Sequence, residues 1–362
     1  MLSPDLQELI REHIADTITH KRLTSGLLDI IYDHNWFNIW VPEQYGGLAF
    51  DLSKGCRLLE EIAYIDGGIG WTVTLCSGAN MFAGFIEPNL AHSIFSQREV
   101  CWGGSGMSSG TAEKVNDGYI LNGKWKYGTG APHLTHFTLN AMITENGEQI
   151  FDKQGLPLMH SFFVEKDDVL IHDDWDTFGL ECTASHSFST MNLEVPSTHC
   201  FDLQYNTRRV EGPLFDYPFL SFAECTLAVN YVGMARRFLD LFEKQLFVKA
   251  GGSDWDQVLG KALFKQIDEY RTLVAQYSVQ LHELINASWD KGQPDEDILT
   301  QISAVTELIV RDIKTFVITL YPYTGIAGAQ RHNEINIVFR HLFTASQHAL
   351  LNRKPLKGKY NA

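Results

Sequence analysis

The segment Gly128-Thr129-Gly130 places one hydroxyl between two glycines, at the end of the run NGKWKYGTG. A threonine hydroxyl can both donate and accept a hydrogen bond. Glycines on either side let the backbone approach a flat ligand without a clash from a Cβ atom. The segment by itself favours a plain bulge or strand end, with a hydroxyl held close to a ligand as the alternative.

A second candidate for chemistry is His348, in the run TASQHALLN near the C-terminus. An imidazole titrates near neutral pH and suits proton transfer, although a lone helical histidine is more commonly a core or surface residue. The fourteen histidines include no HExxH pair, and the six cysteines include no CxxC. We therefore predict no metal centre, and cysteines that are reduced and buried.

The composition restricts the class of partner. The 362 residues include 29 Lys and Arg against 44 Asp and Glu, a formal net charge of −15, which disfavours nucleic acid and anionic membranes. No apolar run approaches the roughly 20 residues of a membrane helix, and the N-terminus has the pattern of an amphipathic helix. A cytoplasmic protein that acts on a small molecule is expected.

Three segments follow from the periodicity of apolar residues. Residues 1–98 have helical spacing, with a break at Asp66-Gly67-Gly68, and residues 99–210 alternate with period two. Asn122-Gly123 is a strong signal for a type I′ hairpin turn. Residues 211–362 return to long amphipathic helices. The predicted fold is α+β: an N-terminal helical bundle, a middle antiparallel β-barrel or sandwich, and a C-terminal four-helix bundle.

This order of domains resembles the acyl-CoA dehydrogenase superfamily, and local motifs carry the same resemblance. They are VPEQYGGL and LLEEIAYIDGGIGW in the first segment, AEKVNDGYILNGKWKYGTG in the second, and VNYVGMARRFLD, YTGIAGAQ and VFRHLFTASQHALLN in the third. The stretch CWGGSGMSSGTAEKV is shorter than the flavin-binding run of the dehydrogenases and lacks its acidic residue. In this it resembles the two-component flavin-dependent monooxygenases.

The resemblance implies a flavin cofactor, FAD or FMN, that a separate reductase supplies in its reduced form. It also implies a homotetramer assembled through the C-terminal bundles, and an oxidoreductase that hydroxylates a small apolar or aromatic substrate. Thr129 is expected at the N5 or O4 edge of the flavin, with Tyr127 and Trp125 on the same face of the strand by alternation. The other expected flavin-binding residues are Gly130, Trp102, Ser105, Ser108, Ser109 and, across a subunit interface, Arg340.

The resemblance also implies catalytic roles. His348 would face the oxygen-reacting side of the flavin, and Asn80 stands where monooxygenase relatives frequently have a histidine. A dehydrogenase needs a carboxylate base, and its commonest position holds Ala349. Glu224 falls within about one residue of the position that a minority of dehydrogenases use. An acyl-CoA dehydrogenase or oxidase with Glu224 as its base, and a flavin-less binding scaffold, therefore remain alternatives to the monooxygenase.

Overall fold

The N-terminal part of the chain is helical. The computed structural model describes residues 2–203, 205–252, 256–289 and 294–352. The first five helices are α1 Pro4–His20, α2 Ser25–Asp33, α3 Leu52–Ile65, α4 Gly67–Asn80 and α5 Pro88–Phe95. Asp66 ends α3 and caps α4, since its carboxylate accepts hydrogen bonds of 2.9 Å from the backbone N–H groups of Gly68 and Ile69. The Asp-Gly-Gly break in the sequence is therefore a tight corner between two packed helices.

One mixed sheet forms the middle of the chain. Its strands are β1 Trp102–Val115, β2 Gly118–Gly128, β3 His136–Glu145, β4 Glu148–Gln149, β5 Met159–Glu165, β6 Leu170–His172, β7 His186–Pro196 and β8 Cys200–Phe201. Their order is β6-β7-β2-β1-β3-β5-β8, with β4 beside β3. The pairing of β1 with β3 is parallel and the other pairings are antiparallel. The expectation of a purely antiparallel domain was wrong for this one pair.

The predicted hairpin at Asn122-Gly123 was also wrong. These residues lie inside β2, and the chain reverses instead at Asn116-Asp117, between β1 and β2. Gly123 faces Gly110 across the ladder, and a Cβ on Gly123 would lie 2.7 Å from the Gly110 Cα and 2.8 Å from the Trp125 ring. The glycine is there to make room for a buried indole, so the local turn signal was overridden by packing.

Helices return after the sheet. They are α6 Pro213–Asp216, α7 Phe219–Ala250, α8 Gln257–Trp289, α9 Glu296–Leu320, α10 Ile326–Ala329 and α11 Glu334–Ala345. The helices α7, α8, α9 and α11 pack together as the C-terminal bundle, and α7 also packs along α3. The predicted fold class is confirmed. Over the ranges that are described, no helix combines the length and apolarity needed to cross a membrane.

The division into domains stays a prediction. The expected boundary after residue 98 falls between α5 and β1, and that after residue 210 falls between β8 and α6. The buried apolar residues of the helical regions and of the sheet form one continuous cluster. Side chains at the junction of these regions are therefore held from several sides.

Candidate active site

Three hydroxyl groups lie in a row at the end of β2. Thr129 Oγ1 is 3.0 Å from Ser185 Oγ, and Ser185 Oγ is 2.7 Å from Thr183 Oγ1. Thr183 donates its single hydroxyl proton to the Leu180 carbonyl at 2.9 Å. Thr183 must then accept from Ser185, and Ser185 from Thr129. The direction of donation leaves a lone pair on the Thr129 oxygen for a donor outside the row.

Neither Thr183 nor Ser185 was predicted from the sequence. They belong to the loop before β7, more than fifty positions from Thr129. The pattern of small polar residues in Thr183-Ala184-Ser185 was the available signal, but it does not indicate which strand end it meets. A backbone hydrogen bond also joins the two segments, since Gly130 N–H donates to the Thr183 carbonyl at 2.8 Å.

The backbone at the end of β2 departs from regular strand geometry. Tyr127 has a φ of 70° and Gly130 a φ of 80°, and the pairing with β7 shifts register between Trp125 and Gly128. Alternation therefore fails: Trp125 is fully buried and stacks on Phe188, while Tyr127 is 58% exposed. The prediction that Trp125, Tyr127 and Thr129 share one face was wrong. Tyr127 remains an exposed ring beside the buried Thr129.

Arg340 anchors the loop that carries the other two hydroxyls. This side chain is 5% exposed, forms an ion pair with Glu181, and donates to the Phe178 carbonyl at 2.8 Å and to Asn336 Oδ1 at 2.9 Å. These bonds make Arg340 a positioning residue for residues 178–185. Its contact with a flavin phosphate across a subunit interface stays a prediction.

His341 holds the same loop from α11. Its Nδ1 accepts from Leu180 N–H at 2.8 Å, and its Nε2 is 3.9 Å from an Asp66 carboxylate oxygen. Burial lowers the pKa of His341, while Asp66 and Glu181 oppose that shift. The Leu180 bond requires a lone pair on Nδ1, so the neutral ring carries its proton on Nε2, toward Asp66. The corner between α3 and α4 and the hydroxyl loop are thus linked through one imidazole.

Gly68 lets α4 approach the loop closely. A Cβ at this position would lie 2.2 Å from the Cys182 sulfur, far inside van der Waals contact. Further along α4, the Cys76 thiol donates to the Thr129 carbonyl at 3.6 Å. The helix therefore supports both sides of the hydroxyl row.

Replacing Gly68 by alanine is expected to lower the free energy of unfolding by about 1–3 kcal/mol, because the new methyl group overpacks the contact with Cys182. Gly78→Ala is the matched control on the same helix, since its Cβ would meet only Phe222 at 3.7 Å. That control should be neutral or stabilising by up to about 1 kcal/mol. Urea unfolding of both variants checks this. The double variant Gly68→Ala/Cys182→Ala should recover most of the lost stability, and a double variant as unstable as Gly68→Ala would contradict the overpacking.

Asn80 and Trp102, both predicted as site residues, lie in the protein core, and their roles toward a flavin stay predictions. Asn80 is fully buried, donates to Asn38 Oδ1 at 2.7 Å and accepts from Trp102 N–H at 2.6 Å. Its amide is therefore used to join the helical region to β1. The Trp102 ring is also fully buried, with its centroid 4.7 Å from that of Phe163.

His136 lies with its ring centroid 5.3 Å from that of Trp102, and we expect it to make the stability of the fold depend on pH. Burial, aided by His199, lowers the pKa of His136 to about 4. An unfolded histidine titrates near 6.5, so the unfolded chain binds more protons between the two values. The contribution of neutral His136 to the free energy of unfolding is complete above pH 6.5. It decreases as the pH falls, by about 2 kcal/mol between pH 7 and pH 5. Urea unfolding at both pH values should show that the free energy of unfolding decreases less for His136→Phe than for the wild type. An equal decrease would contradict the role of His136 in the pH dependence.

The three predicted serines lie in β1, not in a loop. β1 carries two irregularities in its pairing with β3, between Ser105 and Gly110. Ser105 is buried and its Oγ accepts from Met107 N–H at 3.3 Å. Ser108 and Ser109 are exposed, and Ser108 Oγ contacts the Met159 sulfur. Only the latter two present hydroxyls on the surface, and their role toward a phosphate stays a prediction.

His348 lies beside α4, with its ring 5.7 Å from that of Trp71 in an edge-on arrangement. Its Nδ1 accepts from Leu350 N–H at 3.3 Å, which favours the tautomer with the proton on Nε2. Burial lowers the pKa of His348. The side chain is therefore suited to donate a hydrogen bond from Nε2 as a neutral ring, and less suited to accept a substrate proton.

Glu224 faces the inside of the C-terminal bundle. It is 1% exposed, and its carboxylate accepts from Ser303 Oγ of α9 at 2.7 Å. This contact directs one carboxylate oxygen toward α9. The role of Glu224 as the base of a dehydrogenase stays a prediction.

Two surface grooves lie away from Thr129. One, of about 730 Å³, lies on the outer face of α8, and the other, of about 680 Å³, lies between α2, α5 and the edge of β3 and β5. Thr129 and His348 line neither groove. The hydroxyl row is the better candidate site because it combines a directed lone pair, an exposed ring and one glycine of positive φ.

The residues at this end of β2 fit the edge of a flat, nitrogen-containing ring. Thr129 offers an acceptor, Gly130 needs its positive φ, and Tyr127 offers an exposed aromatic surface. A Cβ on Gly103 of β1 would lie 2.8 Å from the Thr129 carbonyl oxygen, so this position of β1 also requires a residue without a side chain. A reduced flavin carries an N–H at N5, and such a donor matches the free lone pair of Thr129.

Comparison with known proteins agrees with this fold. Residues 3–86 match the family model for the acyl-CoA dehydrogenase N-terminal domain. The chain is 26% identical to the indole-3-acetate monooxygenase of Pseudomonas putida over 64% of its length, and spans 57% of that relative. It is 24% identical to the enzyme of the same name from Acinetobacter baumannii, over 84% of this chain and 79% of the relative.

Among solved structures, XiaF from a Streptomyces species, in complex with FADH2 and glycerol, superimposes with a TM-score of 0.84. The two sequences are 19% identical, and the match covers 96% of this chain and 89% of XiaF. At this identity the match establishes the fold. The chain therefore has the acyl-CoA dehydrogenase-like fold, residues 3–86 resemble the N-terminal domain of that superfamily, and the predicted resemblance is confirmed.

Proposed function

We propose that this chain is the oxygenase component of a two-component flavin-dependent monooxygenase. The observation that carries the proposal is the direction of donation from Thr129 through Ser185 and Thr183 to the Leu180 carbonyl. It leaves Thr129 to accept from an N–H at the N5 edge, which reduced flavin carries and oxidised flavin lacks. The site thus favours the reduced cofactor, FAD or FMN, that a separate reductase would deliver.

The protein residues would bind and shield the ring, while the flavin supplies the electrons that let O2 react. Thr129 would fix the N5 edge, and the exposed Tyr127 ring would cover it, with Trp175 packed 6.2 Å away against Tyr127. His348, as a neutral donor, would orient a polar group beside the ring. Exclusion of water from this edge is the main task of the fold.

The substrate that we propose is small, and apolar or aromatic. Two relatives in sequence are named indole-3-acetate monooxygenases. The surroundings of His348 include the Trp71 ring, which suits a flat aromatic molecule. Indole-3-acetate and simpler indoles are therefore the first substrates to test.

We also propose a homotetramer assembled through the C-terminal helices, in the cytoplasm. Apolar side chains of these helices and their connections are exposed: Phe247 63%, Val248 76%, Val258 81% and Ile326 78%. Apolar groups at this density favour association. Light scattering coupled to size exclusion should give a mass near four chains, and a monomer at micromolar concentration would contradict the proposal.

The test of function supplies reduced FMN or FAD from a reductase, O2 and the indole panel. The expected result is an oxygenated product with less H2O2 released than in the absence of substrate. Bleaching of bound oxidised FAD by acyl-CoA thioesters, abolished in Glu224→Gln, would instead establish a dehydrogenase. Lack of binding of either flavin in either redox state would leave a binding scaffold.

A further inference from the structure

Two cysteines and one histidine from separate elements meet behind the Thr129 segment. The sulfurs of Cys76 and Cys101 and a ring nitrogen of His133 all lie within 4.8 Å of one another. Cys76 belongs to α4, Cys101 immediately precedes β1, and His133 lies in the turn between β2 and β3. No spacing within one segment indicates this cluster, which explains why the sequence predicted no metal centre.

The cluster is partly buried, since His133 borders the surface groove between α2, α5 and the sheet edge, and it has a polar atom without a partner. Both cysteines are fully buried, and the His133 ring stacks on Phe37 at 5.7 Å. Across the ranges that the structure describes, His133 Nε2 is shielded from solvent and makes no hydrogen bond. A buried nitrogen without a partner is costly and commonly points to a ligand such as an ion.

The free nitrogen and a sulfur flank the same point. A Cβ on Gly130 would lie 2.7 Å from His133 Nε2 and 3.1 Å from Cys76 Sγ. Gly130 has a φ of 80°, so the backbone passes beside both atoms without a side chain between them. The Thr129 carbonyl, 3.6 Å from Cys76 Sγ, is a further oxygen at this place.

This donor set matches a thiophilic metal ion. Two thiolates and a neutral imidazole balance a divalent charge, so the buried centre would carry no net charge. In a tetrahedral zinc site, metal–ligand bonds of about 2.0–2.3 Å separate the ligand atoms by about 3.5–3.8 Å. The present separations need only small side-chain rotations to reach that geometry.

We propose that Cys76, Cys101 and His133 form a structural site for Zn²⁺. The ion would tie α4 to both ends of the sheet segment that bears Thr129. It would thereby brace Gly128–Gly130 from behind, with no part in the chemistry at the front. The proposal rests on the cluster alone and stands whether or not the chain binds flavin.

The test measures bound metal by mass spectrometry after expression with added Zn²⁺ and gel filtration. One Zn²⁺ per chain is expected for the wild type, and less than about a tenth of that for Cys76→Ser/Cys101→Ser and for His133→Gln. Cys56→Ser and Cys225→Ser, at buried cysteines elsewhere, are matched controls that should retain the metal. Replacement by Co²⁺ should give a thiolate-to-metal absorption band that disappears in the double variant.

A second measurement avoids variants that fail to fold. Removing the metal from the wild-type chain with a chelator should lower its thermal midpoint by about 5 °C, and Zn²⁺ but not Mg²⁺ should restore it. The proposal is overturned by a chain that binds no Zn²⁺, by full retention in the double variant, or by an unchanged midpoint. A Cys76–Cys101 disulfide in the freshly purified protein would overturn it as well.

Discussion

Thr129→Val is expected to weaken the binding of reduced flavin about five- to tenfold, the effect of one net hydrogen bond. The variant removes the acceptor for the flavin N–H and the donor to Ser185 Oγ, which is 3.0 Å away. The oxygen that is consumed should then appear mostly as H2O2 instead of product, because the ring edge is no longer held. Anaerobic titration and the ratio of product to H2O2 measure the two effects.

Two control variants separate the hydroxyl from the packing. Thr129→Ser keeps the hydroxyl and should bind reduced flavin within about twofold of the wild type. Thr190→Val removes another buried hydroxyl of the same sheet, which donates to the Leu121 carbonyl at 3.2 Å, far from the row. Equal losses in Thr129→Val and Thr190→Val would show that the effect is structural and would refute the assignment of Thr129.

Arg340→Met is expected to lower the free energy of unfolding by about 3–5 kcal/mol, because it leaves the partner of a buried ion pair without compensation. The guanidinium is 5% exposed and also donates to the Phe178 carbonyl. The loop with Thr183 and Ser185 should loosen, so flavin affinity should fall in the molecules that remain folded. Urea unfolding and flavin titration below the transition test both parts.

Arg237 offers the matched control for Arg340. Its ion pair with Glu334 is more exposed, with the Arg237 and Glu334 side chains 19% and 45% exposed, so Arg237→Met should cost about 1 kcal/mol, well below the cost of Arg340→Met. Arg340→Met/Glu181→Gln should recover part of the loss, since no buried charge is left. A cost for Arg340→Met as small as that for Arg237→Met would contradict the positioning role.

The helical regions could be predicted from the sequence because their apolar residues recur with the period of the structure. The sheet was predicted less well, since local signals compete there with packing. Asn122-Gly123 has the chemistry of a turn, yet its glycine serves the Trp125 ring. The alternation that should have aligned Trp125, Tyr127 and Thr129 ended at a residue of positive φ.

The candidate site could be predicted only in part, because its contacts join residues far apart in the chain. Thr129 was found through its flanking glycines, but Ser185 reaches it from the loop before β7. The pairing of Arg340 with Glu181 likewise spans more than 150 residues, and the sequence alone suggested a phosphate contact for Arg340. The periodicity of apolar residues indicates local structure, but it does not indicate which distant loop contacts a given strand end.

Binding of reduced flavin through Thr129 can be measured directly. The direct measurement is an anaerobic titration of the purified protein with photoreduced FMN and FAD, followed by flavin fluorescence or calorimetry. We predict saturable binding of at least one reduced flavin, tighter than binding of its oxidised form, and a weaker affinity in Thr129→Val but not in Thr190→Val. Absence of binding by both reduced flavins, or equal affinity in the wild type and Thr129→Val, would contradict the account.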